Sequence, residues 1–325
     1  MTNNSDNIRI QLYEPHMKQQ VAKLFELEYK ISDVEFGKFM SRLYDHPYQK
    51  EKCIQIVALD GEKVVGFQSF FYWPYCYNNS TYKSYQSGNS LVHPEYRGKR
   101  LFARMLNFIH ENPIGKEVDF LMGFPVQASF NSFIKNGWDN LFNLQWYVKL
   151  INPFGILFSK KKLSKYFSET KYQYGFDALN AIHLSEESEF RQWKKQLVYE
   201  PDSYYQYTYS KGEKTVVFDL KIQVRKKLIN ELVIGSIRFD EKSKEEVNNA
   251  ITELIKTIWK TACVSMISIA INETFQTPEI QKYFRDAGFK KIENKIFFII
   301  KPLKKELPVT NASVWNIGRA DIDTW

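Results

Sequence analysis

The segment Leu91-Val92-His93-Pro94-Glu95-Tyr96-Arg97-Gly98-Lys99-Arg100-Leu101-Phe102 concentrates more usable chemistry than any other stretch of the chain. It reads as the end of a strand, a tight basic turn and the start of an amphipathic helix. The first turn of a helix offers unpaired backbone N–H groups and the positive end of the helix dipole, so this junction suits a phosphate. Arg97, Lys99 and Arg100 add formal charge at the same point. A phosphorylated small molecule is the first ligand class to consider.

The flanking pattern supplies elements to hold that turn. Ile8 to Leu12 alternates as a half-buried strand, and Met17 to Tyr29 and Phe36 to Leu43 follow helical spacing. Cys53–Leu59 and Lys63–Tyr72 flank Asp60-Gly61, a strong hairpin signal. Tyr75 to Val92 is expected to form a second hairpin, turning at Asn78-Asn79. After the basic turn come a helix from Leu101 to His110, a buried strand from Val118 to Phe124, a short helix ended by Gly137, and a strand from Leu141 to Leu150. The order is that of a mixed sheet with helices packed on it.

With 325 residues the chain exceeds one ordinary domain, and 44% hydrophobic residues can fill two cores. The net charge of +8 fits an anionic small molecule, nucleic acid or an acidic membrane surface without choosing among them. Cys53, Cys76 and Cys263 show no metal-ligand spacing and read as buried free thiols of a reducing compartment. The polar N-terminus has no signal-peptide core, and no window has the ~20 apolar residues of a transmembrane helix. These features read as a cytoplasmic protein.

Part of the pattern recurs. Phe133-Ile134-Lys135-Asn136-Gly137-Trp138 has a partner in Phe284-Arg285-Asp286-Ala287-Gly288-Phe289, offset by 151 residues. Tyr44-Asp45-His46-Pro47-Tyr48 roughly matches Tyr199-Glu200-Pro201-Asp202-Ser203-Tyr204, the prolines being offset by 154. Nearly equal offsets point to a duplicated domain. The expected organisation is a first domain over 1–150, a linker over 151–184, a degenerate copy over 185–302 and a tail over 303–325. The linker carries a short apolar run and Lys160-Lys161-Lys162, which reads as a solvated connector or a membrane-surface contact. In the copy, strands are expected near 215–224, 228–239, 264–270 and 296–300, with helices over 247–258 and up to Ala287. Trp315, Ile317 and Trp325 of the tail are expected to tuck into the body.

Val92-x-Pro94-x-x-Arg97-Gly98-Lys99-x-Leu101, followed by the Phe133–Trp138 segment, resembles the GCN5-related N-acetyltransferase (GNAT) superfamily. The resemblance covers Ile8 to about Leu150 and extends more faintly over 185–302. It implies an α/β (α+β) fold of tandem GNAT-like domains, each a mixed, mostly antiparallel twisted sheet flanked by helices. It further implies acetyl-CoA as co-substrate, a small-molecule amine as acceptor, and neither nucleic acid nor a transmembrane segment. By the resemblance, the N–H groups of Arg97, Gly98, Lys99, Arg100, Leu101 and Phe102 cradle the CoA diphosphate. The strand edge at Ser90, Leu91 and Val92 pairs with the pantetheine arm. The Val92 N–H would polarise the thioester carbonyl.

The sequence departs from the family pattern at several positions. Arg100 replaces the second glycine of the turn, Phe102 the third small residue, and Phe133 a tyrosine that protonates the leaving thiolate. Phenylalanine has no proton to give. The strand Gln86–Ser90 holds no carboxylate, so the base is sought in a water chain held by Gln86, Ser87 or Asn89, or in Glu28, Asp33 or Glu35. His93 is a further option by its pKa but is expected to face outward.

The corresponding junction of the copy, Arg238-Phe239-Asp240-Glu241-Lys242-Ser243-Lys244-Glu245-Glu246, has no glycine and four carboxylates. It is expected not to bind CoA and instead to shape the acceptor cleft or fix the pair of domains. The leading function is N-acetyl transfer to a small amine. Trp315 and Asp321-Ile322-Asp323 either echo the tails of two-copy members from surface-polysaccharide pathways, which favours an amino sugar, or simply cap the sheet edge. The alternatives are a catalytically inactive GNAT-like binding module and a tandem enzyme transferring amino acids from tRNA. The oligomeric state stays open.

Overall fold

The structure is a computed structural model describing residues 7–78, 80–169, 181–197, 203–275, 277–305 and 307–324. The chain opens with β1 (Ile8–Leu12), α1 (Lys18–Tyr29), α2 (Asp33–Leu43), α3 (Pro47–Lys50), β2 (Ile54–Asp60) and β3 (Lys63–Tyr72). Then come β4 (Tyr75–Tyr77), β5 (Ser80–Tyr82), β6 (Ser84–Val92), α4 (Leu101–Glu111), β7 (Phe120–Gly123), α5 (Gln127–Lys135) and β8 (Asp139–Leu150). The remainder holds β9 (Ser168–Glu169), β10 (His183–Leu184), α6 (Ser188–Lys195), β11 (Tyr204–Lys211), β12 (Lys214–Arg225) and β13 (Ile229–Phe239). It ends with α7 (Val247–Thr261), β14 (Met266–Asn272), α8 (Thr277–Asp286), β15 (Lys290–Pro302) and a tail of short 3-10 turns.

Two compact units result. Unit 1 takes residues up to 75, 81–141 and 298–310, and unit 2 takes 76–80, 142–297 and 311–325. In unit 1, β1, β2, β3 and β6 pair antiparallel in that order, β7 joins β6 in parallel, and Ile299–Pro302 of β15 pairs antiparallel with β7. The β2–β3 hairpin turns where expected, with Gly61 at φ 58, a conformation glycine adopts without strain. Helix α4 packs its Leu101, Met105, Leu106 and Ile109 stripe onto Ile56, Val65 and Phe70 of the sheet. Gly66 permits that approach, because a Cβ there would meet the Met105 Cε at 3.1 Å.

In unit 2, Leu144–Leu150 of β8 pairs with β14, which runs parallel to β13, followed by antiparallel β12 and β11. The strand expected to close the first domain therefore contributes from Phe142 onward to unit 2, while the last strand of the chain ends in unit 1. The segment read as a linker is also partly core: Ile151, Leu163 and Phe167 pack with Phe218, Ile251 and Leu254 in unit 2. Trp315 and Ile317 are buried as expected, and Trp325 lies outside the described residues.

Other differences have local causes. Helix α2 starts at Asp33 rather than Phe36, because Ser32 and Glu35 form a reciprocal capping box. The expected 75–92 hairpin is instead the short pair β4 and β5 followed by a separate β6; Asn78 turns at φ 48, and Asn79 lies outside the described residues. Strand β11 was not expected. All three cysteines are free, but only Cys263 is fully buried.

The repeated motif has the same geometry in both units. The Phe133 and Trp138 rings meet edge-on at 5.0 Å, and those of Phe284 and Phe289 at 4.9 Å. Trp138 N–H donates to the Phe133 carbonyl and Phe289 N–H to that of Phe284, at 3.3 and 2.9 Å. Between them Gly137 and Gly288 sit at φ 74 and 84, ending their helices in the left-handed conformation. The second anchor, at Tyr199–Asp202, lies outside the described residues.

Candidate functional site

Strand β6 keeps its two neighbours for different lengths. Its pairing with β3 continues to Gly66↔Val92, but its parallel pairing with β7 covers only Ser84, Tyr85 and Gln86. Beyond Gln86 no described strand pairs with that edge. His93 N–H donates to the Val65 carbonyl on the β3 side at 2.9 Å. Because N–H groups alternate between the edges of a strand, the Val92 N–H points to the open one.

The turn after β6 carries the open edge into α4. Pro94–Tyr96 forms one 3-10 turn, Arg97 is extended, and Gly98 and Arg100 take φ values of 80 and 60. Arg100 is the N-cap residue of α4, and no side chain caps the helix. Arg104 N–H is the first to reach a helical carbonyl, that of Arg100 at 3.1 Å. The N–H groups of Leu101, Phe102 and Ala103 are left at the positive end of the helix. A Cβ on Gly98 would meet nothing within 4 Å, so the turn faces open space.

The basic side chains lean on the protein's own groups. Arg97 Nη2 donates to Glu28 Oε2 at 2.6 Å, both being partly exposed. Lys99 Nζ lies 4.5 Å from the Tyr96 ring centre, and the Tyr96 hydroxyl donates to Asp60 Oδ2 at 2.6 Å. His93 Nδ1 accepts from the Glu95 N–H at 3.4 Å.

A polar cluster, buried at Tyr44, Gln68 and Ser69 and half-buried at Asn89, lies where β3 and β6 slip in register. The Tyr44 hydroxyl donates to Asn89 Oδ1 at 2.6 Å, and Asn89 N–H donates to Ser69 Oγ at 3.0 Å. Tyr44 and Ser69 oxygens are 2.9 Å apart, so the serine proton goes to Tyr44 and the three residues form a closed ring. Next to it Gln68 donates to the Ser69 carbonyl at 2.6 Å and to Ser87 Oγ at 3.2 Å, and accepts from Ser90. Gln86 is buried, and its Oε1 has no partner among the described residues.

Residues 9–139 match the family model described as "Acetyltransferase (GNAT) domain". The chain carries a GNAT domain. Its fold is similar to that of a GCN5-related N-acetyltransferase from Anabaena variabilis, at 9% identity and TM-score 0.61 over 91% of this chain and 73% of that one. It is similar as well to a GCN5-related N-acetyltransferase from Kribbella flavida, at 9% identity and TM-score 0.57 over 92% and 71%. Saccharomyces cerevisiae N-myristoyltransferase with bound myristoyl-CoA has 12% identity and TM-score 0.51 over 98% and 89%. Among curated proteins none matches in sequence.

Within the GNAT domain the expected turn residues, Arg97 to Phe102, lie together at the start of α4, next to Leu91 and Val92 at the end of β6. Gln86 and Asn89 lie further back on β6, Asn89 inside the hydrogen-bonded ring. Glu28 lies on α1, where its carboxylate accepts from Arg97. Glu35 serves the α2 cap, and hydrogen bonds from Ser32 hold its carboxyl below the ordinary value. Phe102 packs edge-on against Phe133 at 5.1 Å, and Phe133 is buried beneath it. Sequence reasoning missed Tyr44, Ser69 and Gln68; only their position beside the register slip draws them into the site.

The corresponding junction in unit 2 is built differently. Asp240 accepts from Ser243 N–H at 2.8 Å, so a carboxylate caps the helical segment that precedes α7. Strands β13 and β14 pair over Glu231–Ile234 and Met266–Ile269 and then part, as β6 and β7 do. The tail enters this gap. Gly318 bridges to Ile271, Asn272 Nδ2 donates to the Trp315 carbonyl at 3.0 Å, and a Cβ on Gly318 would lie 2.4 Å from the Gly235 carbonyl oxygen. A pocket remains there, lined by Asp219, Arg238, Arg191, Glu186, Phe239 and Ile271 among others. Arg238 pairs with Asp219 and Arg191 with Glu186, both at 2.8 Å.

Proposed function

We propose that the protein is an acyl-CoA-dependent N-acyltransferase that moves an acetyl group to the primary amine of a small acceptor, with an amino sugar of surface-polysaccharide synthesis as the preferred class. The observation that carries this reading is the uncapped start of α4 beside the unpaired edge of β6. A GNAT domain with that junction has the amides, the dipole and the charge that a diphosphate requires. The fold neighbour with bound myristoyl-CoA supports the wider acyl-CoA class.

In this reading the N–H groups of Gly98, Arg100, Leu101, Phe102 and Ala103 hold the diphosphate, those of Arg97 and Lys99 being turned back onto the Pro94 and Tyr96 carbonyls at 3.2 and 3.4 Å. The Arg100 and Lys99 side chains supply charge, and that of Arg97 is shared with Glu28. The open β6 edge at Ser90–Val92 aligns the pantetheine arm. The Val92 N–H donates to the thioester carbonyl, an interaction worth roughly 3 kcal/mol in comparable oxyanion sites. Acyl-CoA supplies an activated carbonyl with a good leaving group. Asn89, fixed by Tyr44 and Ser69, is the residue placed to orient a water that takes the amine proton. Phe133 gives no proton to the leaving thiolate, which is stable enough to depart unaided at a reference pKa of about 8.5. Unit 2, with its capped junction and tail-filled gap, leaves CoA to unit 1. Such an enzyme belongs in the cytoplasm, where acyl-CoA is available.

The absence of a carboxylate on β6 together with the buried Phe133 favours a second reading, a GNAT-like module that binds acyl-CoA without turnover. Thiol release from acetyl-CoA, measured with a panel of amino sugars and polyamines, separates the two. Release with an amine is the expected result. Calorimetric binding of acetyl-CoA with no release for any amine selects the module, and no binding at all removes both readings.

A further inference from the structure

One end of unit 2 combines exposed apolar side chains with a one-sided charge. Three segments meet there: the chain leaving β8 (150–166), the β12–β13 hairpin tip (225–230) and the end of α7 (256–263). Asn230 fastens them, donating to the Gly155 carbonyl at 3.2 Å and to that of Cys263 at 2.9 Å. Asn152 adds a bond to the Ala262 carbonyl at 2.8 Å. The packing is tight, since a Cβ on Gly155 would lie 2.7 Å from the Ser265 amide.

Each segment presents large apolar residues to solvent. Leu150 is 77% exposed, Phe154 65%, Leu157 76%, Leu228 70% and Trp259 53%. Single exposed residues are ordinary, but five gathered on adjoining segments mark an interaction surface. The same three segments carry nine lysines and arginines and no aspartate or glutamate. Buried Glu231 takes Arg225 at 3.7 Å and Glu253 takes Lys256 at 2.7 Å. Lys160, Lys161, Lys165, Lys226, Lys227 and Lys260 have no carboxylate within ion-pair reach among the described residues.

The hairpin tip is a second, independent sign. Leu228 N–H closes the turn on the Arg225 carbonyl at 3.1 Å, and both central residues, Lys226 and Lys227, have positive φ, 50 and 59. Such turns favour Asn and Gly, because a side chain is strained there. Strain of this kind concentrates at functional positions. Here it holds two charges at the tip beside an exposed leucine.

We propose that this end of unit 2 docks on an anionic lipid bilayer, with Leu150, Phe154, Leu157, Leu228 and Trp259 entering the interface and the lysines meeting headgroup phosphates. Exposed apolar residues on three joined segments that also carry the cations fit a soft, continuous anionic surface; an acidic protein would need a shaped counterpart. No helix of the described residues is long and apolar enough to cross a membrane, and the proposed contact is peripheral.

Co-sedimentation of the full chain with vesicles of phosphatidylcholine, with and without phosphatidylglycerol, tests the proposal. Pelleting is expected only with the anionic lipid and is expected to fade as salt is raised. Lys226→Ala with Lys227→Ala is expected to lower partitioning about thirtyfold, at ~1 kcal/mol for each basic residue. Leu157→Ser weakens it too, while circular dichroism stays unchanged. If a variant loses its fold, Trp259→Phe gives the answer instead: the wild-type blue shift of tryptophan fluorescence on anionic vesicles is expected to shrink. Equal pelleting with both vesicles, or none with either, overturns the proposal. So does unaltered binding in the folded variants, or retention on polyglutamate or tRNA without vesicle binding.

Discussion

Arg97 and Glu28, 69 residues apart in sequence, are joined at 2.6 Å at the mouth of the basic turn. The pair places a carboxylate beside the amides that the reading assigns to a diphosphate. Glu28→Gln is therefore expected to tighten CoA binding, by no more than about fivefold, the scale of an exposed ion pair. The turnover number should hold. A fall of about a hundredfold or more would instead make Glu28 the base, as proton-transfer groups contribute on that scale. Calorimetry and steady-state kinetics on one variant give both answers.

The two positive-φ residues of the turn separate backbone from charge. Gly98→Ala adds a Cβ that meets no atom, so its stability loss is the conformational cost of φ 80, about 1–2 kcal/mol. Any larger loss in CoA affinity reports close approach of the ligand to the main chain. Arg100→Gly removes charge and relieves φ together, so it is expected to weaken CoA without destabilising the fold. Arg100→Glu should weaken CoA by about 1–3 kcal/mol. Equal CoA affinity in wild type and Arg100→Glu would take the turn out of the site.

Tyr44→Phe opens the ring of Tyr44, Ser69 and Asn89. Buried Ser69 and half-buried Asn89 each lose a partner, at about 1–3 kcal/mol of stability, read by urea denaturation. With its carboxamide no longer fixed, Asn89 is expected to lose about tenfold in turnover while the KM for acyl-CoA stays put. Unchanged turnover would leave the ring a purely structural feature.

Acid stability should reflect Glu246 in unit 2. Hydrogen bonds from Asn249, Lys211 and Tyr209 hold its carboxyl down to about 2, against an ordinary 4.5. Because the folded value is the lower one, the stabilisation is complete above pH 4.5 and is lost as pH falls towards 2. Thermal melts across that window should show a steeper fall in Tm for wild type than for Glu246→Gln. Parallel curves would mean that the carboxylate adds nothing.

The tail is a structural part of unit 2. Trp315 is fully buried, so Trp315→Ala is expected to cost about 3–5 kcal/mol in urea unfolding. A loss under about 1 kcal/mol would mean that the tail is only loosely held.

The basic turn was legible because each of its signals is local: clustered charge, a glycine, and a helical stripe beginning at Leu101. The Asp60-Gly61 hairpin and the paired Gly137 and Gly288 helix ends were legible for the same reason. Strand pairing was not. Leu141–Leu150 and Ile296–Ile300 read correctly as strands, but periodicity says which face is buried and is silent on which neighbour a strand chooses. The ring at Asn89 follows from a register slip between two strands, and the Arg97–Glu28 pair from packing of α1. Neither leaves a mark in spacing.

The route of β15 has a consequence for biosynthesis. The edge of β7 finds Ile299–Pro302 only after about 175 further residues have emerged from the ribosome. A nascent polypeptide released at Leu150 would lack that cover and keep the β7 flank bare. Folding of unit 1 is thus expected to wait for translation of β15, and chains terminated before it should aggregate.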